Sequence, residues 1–128
     1  MSHSVKVSFG VRDLNVFEQA CTNLGAQFKR DQTRFRMFGS ETQPCVHAVT
    51  VPGTTYEIGL RYATANDTTV FDAACDFFDG SLRQKFGENL VNLKNEYLAV
   101  YGETKLREQG YWVERQYEGK RLYLNAQI

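Results

Sequence analysis

The chain has 128 residues, a length typical of one globular domain. Its 15 Lys and Arg balance 15 Asp and Glu, and 42% of its residues are hydrophobic, including 9 Phe and 7 Tyr. A disordered chain would have fewer aromatic residues and more net charge, so the composition excludes that class. The zero net charge also gives no indication of a nucleic-acid or acidic-membrane partner.

The sequence predicts a cytoplasmic protein without a membrane segment. No apolar run approaches the roughly 20 residues that cross a bilayer, and the first residues lack the apolar stretch of a signal peptide. The three cysteines, Cys21, Cys45 and Cys75, are widely spaced and form no Cys-x-x-Cys motif. Reduced thiols of this kind are typical of cytosolic proteins. We also expect one domain over residues 1–128, with no cofactor.

Hydrophobic periodicity predicts a strand followed by a helix at the start of the chain. Apolar and polar residues alternate from Val5 to Val11, which is the period of a half-buried strand. Asp13 offers an N-cap oxygen to a helix whose apolar residues recur at helical spacing. Gly25 ends that helix.

A strand meander is predicted next. Its strands cover residues 26–29, 33–38, 46–51 and 56–62, and residues 39–44 form a loop. Residues 70–78 fit either a helix or a strand, and the polar turn before them favours a strand that pairs with its predecessor.

The last third of the chain predicts a long helix and a hairpin. The helix runs from Glu88 to Gly110, and strands at 111–117 and 120–127 flank a Glu-Gly turn. The order β-α-β-β-β-β-α-β-β predicts an α+β fold, in which an antiparallel sheet carries both helices on one face. The other face is then exposed to solvent, covered by a partner or used for binding, and we expect the function there.

Several short motifs resemble the hypothetical chloroplast reading frame 35 family, also known as domain of unknown function 1257. The matching segments are Arg12-Asp13-Leu14, Leu24-Gly25, Tyr56-Glu57-Ile58-Gly59, Gln109-Gly110-Tyr111 and Gly119-Lys120-Arg121-Leu122. The sequence departs from the family's pattern at residues 77–80 and at 125–128, where the family's Gln-Arg-Trp ending is missing. The resemblance implies a small soluble protein and no established activity.

Arg and Tyr residues on predicted strands give the strongest indication of binding. They are Arg34, Arg36, Arg115, Tyr117, Arg121 and Tyr123. If their strands lie side by side, one sheet face presents guanidinium groups beside aromatic rings, which can hold a phosphate and stack a base. The alternative is an ordinary solvated sheet face whose Arg stems cover apolar surface.

A second candidate site combines Cys45 and His47. The two residues are two positions apart on a predicted strand, so both side chains point to one face. They could begin a metal site, for which His3 and Cys75 are the other soft ligands, or form a nucleophile pair. The alternative is a buried Cys45 and a His47 imidazole at the edge of the core.

The expected function is binding or assembly without catalysis. Tyrosines exceed what two helices can cover, so some line an interface or a groove. Edge strands of a small sheet also favour pairing between copies, and we expect a homodimer. The first alternative is nucleotide or nucleic-acid binding through the Arg and Tyr positions, and the second is a small enzyme or metal site at Cys45 and His47.

Overall fold

A computed structural model of the protein describes residues 4–128. The α-helices are α1 (Leu14–Asn23), α2 (Ser81–Phe86) and α3 (Val91–Glu108). The strands are β1 (Ser4–Val11), β2 (Gln27–Lys29), β3 (Arg34–Arg36), β4 (Thr42–Pro44), β5 (His47–Thr50), β6 (Ile58–Thr64), β7 (Asp67–Asp76), β8 (Trp112–Glu118) and β9 (Arg121–Gln127). Within this described range, none of the helices has the length and apolar character needed to cross a membrane.

The α+β prediction is confirmed, with strands that pair antiparallel throughout the described chain. They form a five-stranded sheet of order β1-β7-β6-β5-β2 and two separate hairpins, β3–β4 and β8–β9. Six strands separate α1 from α2; the predicted order gives four, and the predicted segments give five when residues 70–78 are taken as a strand. The loop expected at 39–44 contains β4, and the ambiguous residues 70–78 contribute most of β7.

The two main helices pack together over one face of the large sheet. Asp13 caps α1 by accepting a hydrogen bond from the Val16 N–H at 3.1 Å. The Tyr97 hydroxyl of α3 accepts the backbone N–H groups of Arg12 and Asp13 at 3.0 and 3.2 Å. The Phe17 ring lies 6.2 Å from the Tyr97 ring in the core that both helices share with the sheet. These contacts fix α3 relative to the start of α1.

The second helical region differs from the prediction at its beginning. A 3-10 turn occupies Glu88–Leu90, in which Asn89 and Leu90 have left-handed backbone conformations, and α3 follows it. Helix α2 precedes this turn and was not predicted. It has six residues and buries two side chains, Leu82 and Phe86, which is too few to show a helical period in the sequence.

The opposite face of the large sheet has a trough of small residues. Ala48, Gly59 and Ala74 lie side by side on its three central strands. The Phe35 ring of β3 sits on Gly59 so closely that an added Cβ there would lie 2.3 Å from Phe35 Cδ1. A separate buried cluster of Phe35, Met37, Ala48 and Ala74 results.

Arg61 of β6 fastens the β3–β4 hairpin over this trough. Its guanidinium carbon lies 5.3 Å from the centre of the Phe35 ring, and its Nε donates to the Pro44 carbonyl at 2.9 Å. The face expected to be open is therefore partly covered by the chain itself. This covering was not predicted, because each side chain in the trough is small and gives no sign of what packs against it.

Strand β1, at one edge of the large sheet, is interrupted by a bulge between Val7 and Val11. Gly10 adopts a φ of 76° there, a backbone conformation that glycine adopts without steric cost. The Asp72 carboxylate of β7 accepts the N–H groups of Phe9 and Gly10 at 2.8 and 3.1 Å. The bulge thus turns the N–H groups of two consecutive residues towards β7, which makes this edge irregular.

Candidate functional site

The β8–β9 hairpin is attached to α3 through a buried ion cluster. Arg115 donates two hydrogen bonds to the Glu96 carboxylate at 2.9 and 2.7 Å and a third to Glu103 at 2.6 Å. These bonds hold the pKa of Glu96 below its ordinary value, against the opposing effect of burial. The same carboxylates raise the pKa of Arg115. Arg115 is therefore a structural anchor, with three hydrogen bonds committed to the two carboxylates.

An apolar contact supports the other strand of the hairpin. Leu124 of β9 packs against Gly102 of α3, where an added Cβ would lie 2.8 Å from Leu124 Cδ1. On the helix-facing side of β8, exposure rises from the buried Val113 through Arg115 to the exposed Tyr117, whereas Leu122 and Leu124 of β9 are both half-buried. Strand β8 is consequently packed against α3 nearest its start, and β9 is packed there through Leu124.

An open groove of about 500 Å³ lies where the hairpin tip and α3 separate. Its apolar lining comes from both elements and includes Leu98, Ala99, Leu122 and Leu124, with the Tyr117 ring. Polar groups at Asn92, Asn95, Glu96 and Lys120 complete the lining. An apolar floor with a polar border is typical of a surface that binds another molecule.

Large apolar side chains are exposed on α3 and on both faces of the hairpin: Leu98 and Tyr117 line the groove, whereas Trp112 and Tyr123 belong to the outer face. The Leu98, Trp112, Tyr117 and Tyr123 side chains are 63%, 70%, 62% and 42% exposed. We call these four residues, with the groove, the C-terminal patch. Clusters of exposed apolar side chains bordered by polar residues are typical of interaction sites.

The two faces of the hairpin divide the predicted Arg and Tyr residues. Arg115 and Tyr117 lie opposite Leu124 and Leu122 in the strand pairing, on the face towards α3. Arg121 and Tyr123 alternate with those leucines along β9, so they belong to the outer face.

The predicted single Arg and Tyr face does not form, because β3 and the β8–β9 hairpin belong to different sheets. Arg34 donates to the Thr42 hydroxyl and carbonyl at 2.7 and 3.0 Å, within the β3–β4 hairpin. Arg36 is exposed on the same strand. The premise that these strands lie side by side with β8 and β9 is therefore wrong, and Arg34 and Arg115 are both engaged by the protein.

Cys45 and His47 lie in different environments, so the prediction that they share one face is wrong. Cys45 donates to the Gln32 carbonyl at 3.2 Å and packs with the Phe35 cluster. The His47 ring contacts Phe28 and Phe71 on the helix side of the large sheet. The reason is that β5 begins at His47, whereas Cys45 belongs to the segment returning from the β3–β4 hairpin.

Neither residue has the properties of a reactive or metal-binding group. Burial raises the pKa of the Cys45 thiol to about 11, which disfavours the nucleophilic thiolate. The His47 Nδ1 accepts the Asp31 N–H at 2.9 Å and is not free for a ligand. Across residues 4–128, no three His, Cys, Asp or Glu side chains are grouped to hold a metal ion. His3 lies outside the described residues.

His47 makes stability depend on pH. Burial lowers its pKa below the ordinary 6.5, and the largely exposed Asp31 carboxylate at 3.9 Å opposes this only in part. His47 therefore binds a proton more readily in the unfolded chain than in the folded protein. We expect the free energy of unfolding to fall as the pH drops below about 6.5. Chemical denaturation between pH 7 and pH 5 measures this slope, and His47→Gln should reduce it. An unchanged slope in that variant would contradict the assignment.

Sequence reasoning did not find two residues that shape the C-terminal patch. Leu98 lies off the buried face of α3, and neither Leu98 nor Gly102 is among the binding residues predicted from the sequence. Both lie on the side of α3 that the hairpin approaches. An exposed leucine four residues before a helical glycine was the available signal.

Comparisons of the chain with protein-family models, with curated proteins and with solved structures found no match. The functional interpretation below is therefore built on the geometry of the C-terminal patch.

Proposed function

We propose that the protein is a non-catalytic assembly module that forms a homodimer through the C-terminal patch. The observation that carries this proposal is the concentration of exposed Leu98, Trp112, Tyr117 and Tyr123 around a two-stranded hairpin. A two-stranded hairpin is marginally stable by itself and gains from further pairing. Covering Leu98 and the groove with a second copy would remove apolar surface from water.

Nucleotide or nucleic-acid binding is the weaker alternative. Arg115 is neutralised by Glu96 and Glu103, and Arg34 is bonded to Thr42. A salt-dependent interaction with oligonucleotides that is lost when Arg36 and Arg121 are both replaced by alanine would support it. The resemblance to the reading frame 35 family stays a prediction and assigns no activity.

Self-association is tested by Leu98→Glu. Wild-type protein is expected to sediment with twice the 14.7 kDa mass of one chain. Burying a leucine contributes about 1.5–3 kcal/mol, and a tenfold change in Kd corresponds to about 1.4 kcal/mol. A charge at position 98 should therefore raise the dimer Kd by at least about tenfold. Sedimentation equilibrium over a concentration series measures both values.

Phe78→Glu is the matched control for this experiment. Phe78 is 62% exposed, and Leu98 is 63% exposed. Phe78 follows β7 and packs against Phe38, outside the C-terminal patch. The control variant should keep the wild-type Kd. A wild-type protein that stays monomeric, or equal weakening by both variants, would overturn the proposed function.

A further inference from the structure

The outer edge of β9 is a free, regular strand edge. The turn between β8 and β9 has two residues, so Glu118 and Arg121 form a hydrogen-bonded closing pair. Backbone N–H and C=O groups then alternate, and those of Leu122, Leu124 and Ala126 point away from β8. In the described chain no strand pairs with this edge.

A large apolar side chain of α3 lies beside this edge. Arg115 places β8 over Glu96 and Glu103, whereas Leu124 places β9 over Gly102. Leu98 precedes Gly102 by one helical turn and lies about 200° around the helix from Glu96. Leu98 is therefore on the β9 side of α3, beyond the hairpin. A strand added to β9 would cover Leu98 and close the groove.

The charge distribution along β9 favours an antiparallel second copy of β9 as that strand. Lys120 and Arg121 lie at the tip end, and residues 122–128 carry no charged side chain. Antiparallel pairing sets the cationic end of each copy against the uncharged end of the other. Parallel pairing would bring the four cations together, which is unfavourable.

We infer that two copies join through β9 as antiparallel strands that cross at Leu124, forming a four-stranded sheet over both α3 helices. Leu124 is the midpoint of Arg121–Gln127, so this register pairs all seven residues of the strand. It sets Leu124 opposite Leu124 and Tyr123 opposite Asn125. Leu122 of each copy then extends an apolar stripe on the side facing the helices. The inference rests on the proposed function and specifies its geometry.

Disulfide trapping tests the register. A mixture of Tyr123→Cys and Asn125→Cys chains should form a disulfide dimer under mild oxidation. The 123–125 pair lies between hydrogen-bonded pairs, where opposed Cα atoms are about 4.5 Å apart, within the disulfide range of about 4.4–6.8 Å. Non-reducing electrophoresis measures the shift from one chain mass to two. The native cysteines are partly or fully buried, so wild-type protein gives the background.

Gln116→Cys is the matched control, because Gln116 lies beside Tyr123 on the outer face but belongs to β8. Mixed with Asn125→Cys, it should give no disulfide above background. Sedimentation of the same samples separates the two hypotheses. A dimer that traps 116 with 125, or traps no pair, would overturn the β9 register and leave the proposed function standing. A protein that stays monomeric would overturn both the register and the proposed function. Both would also be overturned if the β9 edge bound only an unrelated peptide as its added strand.

Discussion

Replacing Arg115 with methionine is expected to lower the free energy of unfolding by about 3 kcal/mol, at the lower end of the range for breaking a buried ion pair. The substitution leaves the Glu96 and Glu103 carboxylates, 14% and 10% exposed, close together without their shared cation. Methionine keeps much of the arginine stem's apolar contact, so the loss reports mainly on charge. Urea denaturation followed by circular dichroism measures the change.

Two further variants decide whether charge burial causes this loss. Arg83→Met removes an ion pair with a similar N–O distance, 2.8 Å to Glu88, but both side chains are exposed. Its effect should stay below about 1 kcal/mol. In an Arg115→Met background, replacing Glu96 and Glu103 with glutamine should restore part of the stability, since neutral amides need no counterion. Equal losses for Arg83→Met and Arg115→Met would contradict the explanation.

A methyl group at position 59 is expected to destabilise the protein by about 1–3 kcal/mol, as overpacked cores do. In Gly59→Ala the new Cβ would approach Phe35 Cδ1 to 2.3 Å, and three ring atoms lie within 2.9 Å of it. The Phe35 ring is fully buried and packs with Ala48 and Ala74. We therefore expect the β3–β4 hairpin to lift from the sheet. Denaturant unfolding measures the loss.

A double-mutant cycle with Phe35→Leu provides the control for this prediction. Leucine is smaller than phenylalanine and leaves space for the alanine methyl group. The combined variant should lose less stability than the sum of the two single losses, because the two sites are in direct contact. Additive losses would show that Gly59 matters for a reason other than the Phe35 contact.

Local patterns in the sequence predicted the elements whose apolar residues repeat regularly. The alternation from Val5 to Val11 identified β1, and the spacing after Asp13 identified α1. Strand β4 and helix α2 have three and six residues, too few for a period to emerge. The separation of β3 from the large sheet depends on small residues on three different strands, and their juxtaposition becomes visible only once the register is known.

For the candidate site, too, local features could be predicted from the sequence and features that depend on packing could not. Tyr117 and Tyr123 were identified as candidate binding residues because aromatic residues interleaved with arginines on a predicted hairpin are a local feature of the sequence. The role of Arg115 depends on its hydrogen bonds to Glu96 and Glu103 of α3. Those bonds form only where the hairpin packs against the helix. A sequence shows that an arginine is on a strand, but not that its charge is already neutralised.

The bulge at Gly10 limits how copies of this chain can grow into larger structures. Strand β1 is irregular where Asp72 binds its amide groups, and β2 at the opposite border has only three residues. Neither border offers a long template for fibre growth by strand addition. If two copies join through β9, symmetric pairing occupies the free β9 edge of both chains at once. Growth through β9 would then stop at the dimer, and the outer edge of β8 would be the long edge left unpaired.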